Sequence, residues 1–532
     1  MSRPHVLLPI AVAMLATAVS GQSPAISALK TTPEASEFKS TSSYDDVVTF
    51  MKAVDEASPI VFNSTYGRTF EGRDMPLAVV GTGLGDGSAD AVKASGKLRV
   101  HIQGNIHAGE VEGKESAQML LRDFAAGKHA DWLQSTVFLI TPIFNADGNE
   151  RMSLTSRTPQ HGPVNGQGTR ANAQNMNINR DFTRLDTPEA RAFAALWTNY
   201  DPHVGIDLHT SDGSFHAYHL TYSPPLHPNT HTAITSLLTG EWFPFVTKQM
   251  KDTRGWDTFY YGNASNMPAG TTPARAWATF EHVPRFHSNY VGMRNRFALL
   301  SEAYSYLTFE DRIKATTAFL EGALTFAHQH ASQIKRVVED ADRESIVGRT
   351  LATRARIKTG GTIQVLMGEV DTDKHPVTGA NMYRRKDVSR VEPMVDRLWF
   401  EPTLTEDVPA EYYVPAAATK ALALLKAHGI QMRAVTAPVR GVERFAIAAN
   451  TARPPSNSPD VGGHGVRTLD GRWEPATDTT VPAGAWAVPM AQPLARLAFY
   501  LLAPTSDDGL LFWNALDEEL KDATAYPILR QR

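Results

Sequence analysis

Between Met75 and Asp342 the chain alternates short apolar runs of strand length with stretches whose apolar residues recur at helical spacing. Repeated alternation of this kind argues for an α/β domain, its sheet flanked by helices. Residues 77–80 and 98–102 are predicted strands, the second half-buried with Leu98, Val100 and Ile102 on one face. Ala117, Leu120, Leu121 and Phe124 follow at i, i+3, i+4 and i+7, with Gly127 as the stop of that helix. The continuous run 137–140 reads as a buried strand, Thr187-Pro188-Glu189 as a helix start, and 204–208 as the strand after it. Beyond Thr308, Leu320, Ala323, Leu324 and Ala327 share one stripe and predict a single helix to about residue 342.

Past Ile346 the pattern changes to short β-type runs broken by Gly and Pro, with a helix expected at 418–428. The 532 residues therefore divide into an α/β domain over 22–344 and a smaller β-rich domain over 345–532. The first 21 residues have the layout of a secretory signal: Arg3, an apolar run over 6–19 too short to span a bilayer, then Ser20-Gly21. The expected mature protein is secreted or periplasmic, with no membrane association after signal removal. The full chain's formal charge of −4 offers no basic excess for a phosphate backbone, so nucleic acid is not an expected partner. The chain has no cysteine, which excludes thiol nucleophiles and sulfur-ligated metals and leaves His, Asp and Glu as the possible ligands.

His107-Ala108-Gly109-Glu110 lies just past the C-terminal end of the 98–103 strand, and His209 ends the 204–208 strand. Loops at strand C-termini are where open α/β sheets place ligands. Two imidazoles and one carboxylate, with water in the fourth position, make the protein ligand set of a catalytic zinc, one per chain. A third strand runs into Ser301-Glu302, and Glu302 is the candidate general base because it need not itself be a ligand. Arg170 and the Asn179-Arg180 pair offer guanidinium forks and an amide. One arginine could hold a substrate carboxylate while the other supports an oxyanion. His216, His219, His227, His231, His282 and His287 fit no ligand spacing and read as structural. A His-Glu-x-x-His helix and a Gly-x-Ser-x-Gly elbow are both absent, which excludes two other hydrolase classes.

In order along the chain, Phe70-Glu71-Gly72-Arg73, Gly104-Asn105-Ile106-His107-Ala108-Gly109-Glu110, Asn145-Ala146-Asp147-Gly148, Asn179-Arg180, His209 and Glu302 resemble the zinc carboxypeptidases of the carboxypeptidase A-like group. The resemblance implies an α/β fold with a mixed central sheet flanked by helices, zinc bound by His107, Glu110 and His209, and Glu302 as the base. It further implies that Asn179 and Arg180 hold the terminal carboxylate of a peptide or peptide-like substrate and that Arg170 polarises the scissile carbonyl. The family's closing tyrosine falls on Tyr290, with Tyr260 and Tyr261 as alternatives. In two places the chain departs from the family pattern: Asn177 stands where an Asp often supports a zinc-bound His, and Ala146 replaces a Pro. The function implied is an exported metallocarboxypeptidase. A zinc-dependent acyl-amino-acid amidohydrolase and a catalytically silent peptide- or glycan-binding protein remain as alternatives.

Overall fold

The structure, a computed structural model, describes residues 24–211, 213–521 and 523–532. The expected signal at 1–21 lies outside the described residues. In chain order the first strands are β1 (Val61–Arg68), β2 (Asp74–Val80), β3 (Leu98–Gly104), β4 (Thr136–Thr141) and β5 (Val204–Thr210). They are followed by β6 (Leu220–Ser223), β7 (Thr258–Tyr260), β8 (Asn263–Asn266), β9 (Arg275–Ala278) and β10 (Phe297–Ala303). Eight of these ten form one sheet in the order β1-β2-β4-β3-β5-β10-β6-β7. Its centre, β4-β3-β5-β10, is parallel, while β1, β2 and β6 join antiparallel. This is the α/β architecture that the alternating pattern predicts, with the mixed central sheet that the resemblance implies.

Side chains alternate across a strand, and here the alternation separates two cores. Phe138 and Ile140 of β4 point into one, with Leu98, Val100 and Ile102 of β3 and the helices Tyr44–Ala57, Glu112–Ala125 and Phe309–Gln329. Val137 and Leu139 point into the other, against Phe193 and Trp197 of the helix Pro188–Tyr200.

Two local expectations are corrected. β3 is buried on both faces rather than half-buried, because it runs between β4 and β5 in the middle of the sheet. Its polar residues are satisfied inside: Arg99 donates to the carbonyl and carboxylate of Asp201 (2.6 and 2.9 Å), and His101 bonds Thr141 Oγ1 (2.9 Å) while accepting from Trp197 Nε1 (3.1 Å). The single helix expected after Thr308 is two, Phe309–Gln329 and Ala331–Arg343, broken at His330. Apolar spacing cannot reveal this break, because Ile334 and Val338 continue into the same core.

The remaining strands are β11 (Thr350–Lys358), β12 (Thr362–Lys374), β13 (Asn381–Arg397), β14 (Trp399–Asp407), β15 (Glu411–Val414), β16 (Arg433–Ala434), β17 (Glu443–Arg453), β18 (Val466–Pro475), β19 (Trp486–Pro489) and β20 (Leu529–Gln531). Six make the sheet β16-β19-β15-β20-β17-β18. The long β12–β13 hairpin instead pairs with β9 and β8, so its sheet draws on both sides of residue 345. The second core is shared in the same way. Its wall opposite Phe193 and Trp197 comes from Tyr412, Val414, Leu425, Leu497, Phe499 and Leu501. At about 1.5–3 kcal/mol per large apolar side chain withdrawn from water, this wall is a major part of what stabilises the fold.

Asp508 lies at that junction, fully buried. Trp513 Nε1 and the Arg285 backbone N–H donate to its carboxylate, each at 2.8 Å. Burial pushes its carboxyl up to about 6 despite the opposing charge of Arg285 and these hydrogen bonds. An unfolded Asp titrates near 3.9, so between about pH 4 and pH 6 the folded chain holds the extra proton and stability from this group falls as pH rises. Asp508→Asn lacks that loss. In thermal melts its Tm deficit relative to wild type should shrink from about pH 4 to pH 7; a deficit independent of pH would contradict a raised carboxyl.

Candidate active site

The parallel strands β3, β5 and β10 bring three loops to one edge of the sheet. Leu208 and His209 of β5 lie beside Gly104 of β3 and Glu302 of β10 respectively. Laterally paired residues of parallel strands point to the same face, so His209 and Glu302 line one wall. After β3 the chain turns sharply through Asn105, at φ +65°, whose side-chain amide donates to the Ala108 carbonyl (3.2 Å). The helix Glu112–Ala125 then starts very close to the sheet. A Cβ at Gly113 would stand 2.5 Å from Leu208 Cβ. That approach sets Glu110 directly against His209.

His107, Glu110 and His209 each offer a ligand atom within 4.8 Å of the others. Both imidazoles present Nδ1 inward: His107 Nδ1 is 3.0 Å from Glu110 Oε1, and His209 Nδ1 is 2.7 Å from Oε2. Both Nε2 atoms are engaged behind, His107 with Asn177 Oδ1 (3.0 Å) and His209 with Asp207 Oδ2 (2.8 Å). Outer hydrogen bonds of this kind fix the tautomer that leaves Nδ1 available to a metal. Two nitrogens and a carboxylate converging on one point, with the other ring nitrogens occupied, fit zinc.

In the metal-free cluster the charges follow from the same contacts. Burial alone would raise the Glu110 carboxyl, but Arg157, His107 and His209 outweigh it and hold it well below the ordinary range. Burial alone would lower His209, but Asp207 and Glu110 hold it well above. Burial takes His107 down to about 3, with Arg170 adding to the effect and Glu110 opposing it.

The cluster forms the floor of a cavity of about 590 Å³, which Arg157, Arg170, Asn179, Arg180, Tyr261, Phe286, His287 and Glu302 also line. Arg170 Nη1 lies 3.2 Å from His107 Nδ1 and 3.6 Å from Glu110 Oε1. Arg180 is stacked 3.7 Å over the Phe286 ring and donates to the Asn179 carbonyl (2.8 Å); burial lowers it to about 10, still cationic at neutral pH. Asn179 Oδ1 accepts from the His287 backbone N–H (3.0 Å).

All the expected ligand, base and carboxylate-binding residues therefore face one cavity, but Tyr290 does not. It is fully buried on the helix His287–Met293, bonding His428 Nδ1 through its hydroxyl (2.9 Å) and stacking on Phe182. Tyr261 and Tyr306 line the cavity instead. His287, set aside as structural, also lines it, with Nδ1 3.5 Å from Asp207 Oδ2. Asp207 itself was legible: it precedes His209 by two on a strand and so shares its face. Arg157, which pairs with Glu110, sits in an irregular loop with no sequence signal of its role.

The α/β sheet thus carries, at the mouth of its parallel strands, a buried His107–Glu110–His209 cluster able to hold a metal ion. Residues 47–239 match the family model Peptidase_M14, zinc carboxypeptidase. Glu302 lies beyond the matched segment. Among relatives, a probable carboxypeptidase 2 from Arthroderma benhamiae is 30% identical over 141 residues, 26% of this chain and 23% of that protein. Carboxypeptidase 2 from Trichophyton equinum is 27% identical over 193 residues, 35% of this chain and 32% of that one. The chain thus spans about a quarter to a third of the length of these relatives. A metallo-carboxypeptidase structure from Burkholderia cenocepacia aligns over 55% of this chain and 70% of that one, with 18% identity and a TM-score of 0.41.

The purified protein should carry about one zinc per chain by elemental analysis. His107→Ala and His209→Ala, with folding checked by thermal melts, should each lose it. Asp207→Asn should retain zinc with affinity reduced about 10-fold or more. Unchanged metal content in both His variants would refute the centre.

Proposed function

We propose that the protein is an exported zinc metallocarboxypeptidase that hydrolyses the peptide bond next to a free C-terminal carboxylate. The observation that carries this reading is the common cavity. A His107–Glu110–His209 centre, the Glu302 carboxylate and the cationic Arg180 beside Asn179 all line it. Export rests on the N-terminal apolar run, and the mature chain should begin at about Gln22.

In this reading Arg180 and Asn179 bind the substrate's terminal carboxylate, the guanidinium as a fork and the amide as a neutral donor. The Phe286 ring under Arg180 holds the guanidinium plane in place. Zinc at the centre would act as a Lewis acid toward the scissile carbonyl and lower the pKa of a water. Glu302 takes the proton of the attacking water at its carboxylate and passes it to the departing amine. Arg170, which lines the same cavity, stabilises charge developing on the carbonyl oxygen.

Amidating the substrate C-terminus should remove most turnover, and Arg180→Ala should cost about 2–4 kcal/mol in kcat/KM through the lost charge-assisted pair. Equal rates on free and amidated dipeptides would point to an endopeptidase. Glu302→Gln keeps size and hydrogen bonding but cannot accept the proton. Its kcat should fall at least about 100-fold with zinc content unchanged. A near-normal kcat with a lowered Tm would remove Glu302 from the mechanism.

A further inference from the structure

His107 is supported from behind by an amide, whereas His209 has the carboxylate of Asp207. A neutral amide oxygen is the weaker acceptor and, alone, raises the basicity of the ring less. The amide is not alone. Asn177 Nδ2 donates to Asp460 Oδ1 at 2.7 Å, and Asp460 comes from the connection between β17 and β18, in the β-rich half of the chain. We infer that Asp460 is a positioning residue for the metal centre, completing a relay His107–Asn177–Asp460 in which a distant carboxylate polarises and orients the amide that holds the ligand.

The chemistry sets a direction along this relay. A carboxylate can only accept, so it holds the NH2 end of Asn177 toward itself and turns Oδ1 to His107. Oδ1 then accepts the Nε2 proton, and the lone pair of His107 stays on Nδ1, facing Glu110 and His209. The Asn179 backbone N–H, 3.1 Å from Oδ1, favours the same orientation. The amide of Asn177 and the charges of Arg180 and Arg170 outweigh burial and keep Asp460 ionised below the ordinary carboxylate range.

The connection carrying Asp460 is anchored along the strip of chain that bears Asn177, Asn179 and Arg180. The Asn177 backbone N–H donates to the Pro459 carbonyl (2.9 Å), Arg184 Nη1 to the Val461 carbonyl (2.5 Å), and His464 Nε2 bonds Asp186 Oδ2 (2.8 Å). Gly462, at φ +65°, passes so close that a Cβ there would stand 2.6 Å from Met176 Cε. These contacts hold Asp460 in place independently of its side chain, so the carboxylate can be altered without releasing the loop.

This inference rests on the zinc reading above, and its test reads metal affinity rather than turnover. Zinc affinity of the full chain is measured by competition with a chromophoric chelator, with Tm recorded on each preparation. Asp460→Ala should bind zinc about 10-fold more weakly than wild type, and Asp460→Asn, which retains an acceptor but no charge, by a smaller factor. Asn177→Asp alone would set two carboxylates against each other and should also weaken binding. The exchange pair Asn177→Asp with Asp460→Asn rebuilds a carboxylate and an amide in reversed order and should return affinity to within about 3-fold of wild type. Unchanged affinity in Asp460→Ala would overturn the relay, and so would a folded exchange pair no tighter than Asp460→Ala. If Asp460→Ala fails to fold, Asp460→Asn and the exchange pair decide the matter. A wild-type chain that binds no zinc would overturn the metal reading itself, an outcome distinct from failure of the relay.

Discussion

The organisation of the cavity depends on one buried carboxylate, that of Glu110. Taking an ionised carboxylate out of water is costly unless opposite charge and hydrogen bonds replace the lost hydration. Both oxygens of Glu110 face imidazole nitrogens, Arg157 and Arg170 add positive charge, and the Thr210 backbone N–H donates to Oε2 at 3.1 Å. A dication at the same point would be the most concentrated source of that compensation. The surrounding order follows from the same need: Asp207 and Asn177 are spent on the outer ring nitrogens, which keeps the inner ones aimed at Glu110.

Much of this was legible in the sequence, because strand periodicity and the placement of loops at strand ends are local rules. His107, Glu110, His209 and Glu302 were found by asking which polar residues end apolar runs, and the parallel pairing of β3, β5 and β10 brings those ends together. The same local rule misjudged β3: alternation of Arg99 and His101 with apolar residues suggested an exposed face, and only the tertiary partners Asp201, Thr141 and Trp197 allow both to be buried. Tyr290 failed for a related reason. Only its place in the family's order points to it, and His428, far along the chain, accepts its hydroxyl in the core.

What was not legible is long-range. Nothing in a single sequence connects Asn177 with Asp460, and a Pro- and Gly-rich connection between two strands ordinarily reads as surface. The β-rich half shows the same limit. Its apolar residues could be recognised as core, but not that Leu497 and Phe499 complete the core of the preceding half. A boundary drawn by change of pattern marks where secondary structure changes, and it carries no information about where burial stops.

The shared core also sets the timing of assembly. β10 takes its place between β5 and β6 although it is made after both, and the second core includes Tyr526 and Ile528, within the last few residues of the chain. Such non-local closure slows folding. A growing chain therefore emerges with its histidines and its carboxylates already made but not yet gathered. The cavity itself is lined by residues from His107 to Tyr306, but a chain stopped before Tyr526 and Ile528 would leave the apolar wall of the second core open.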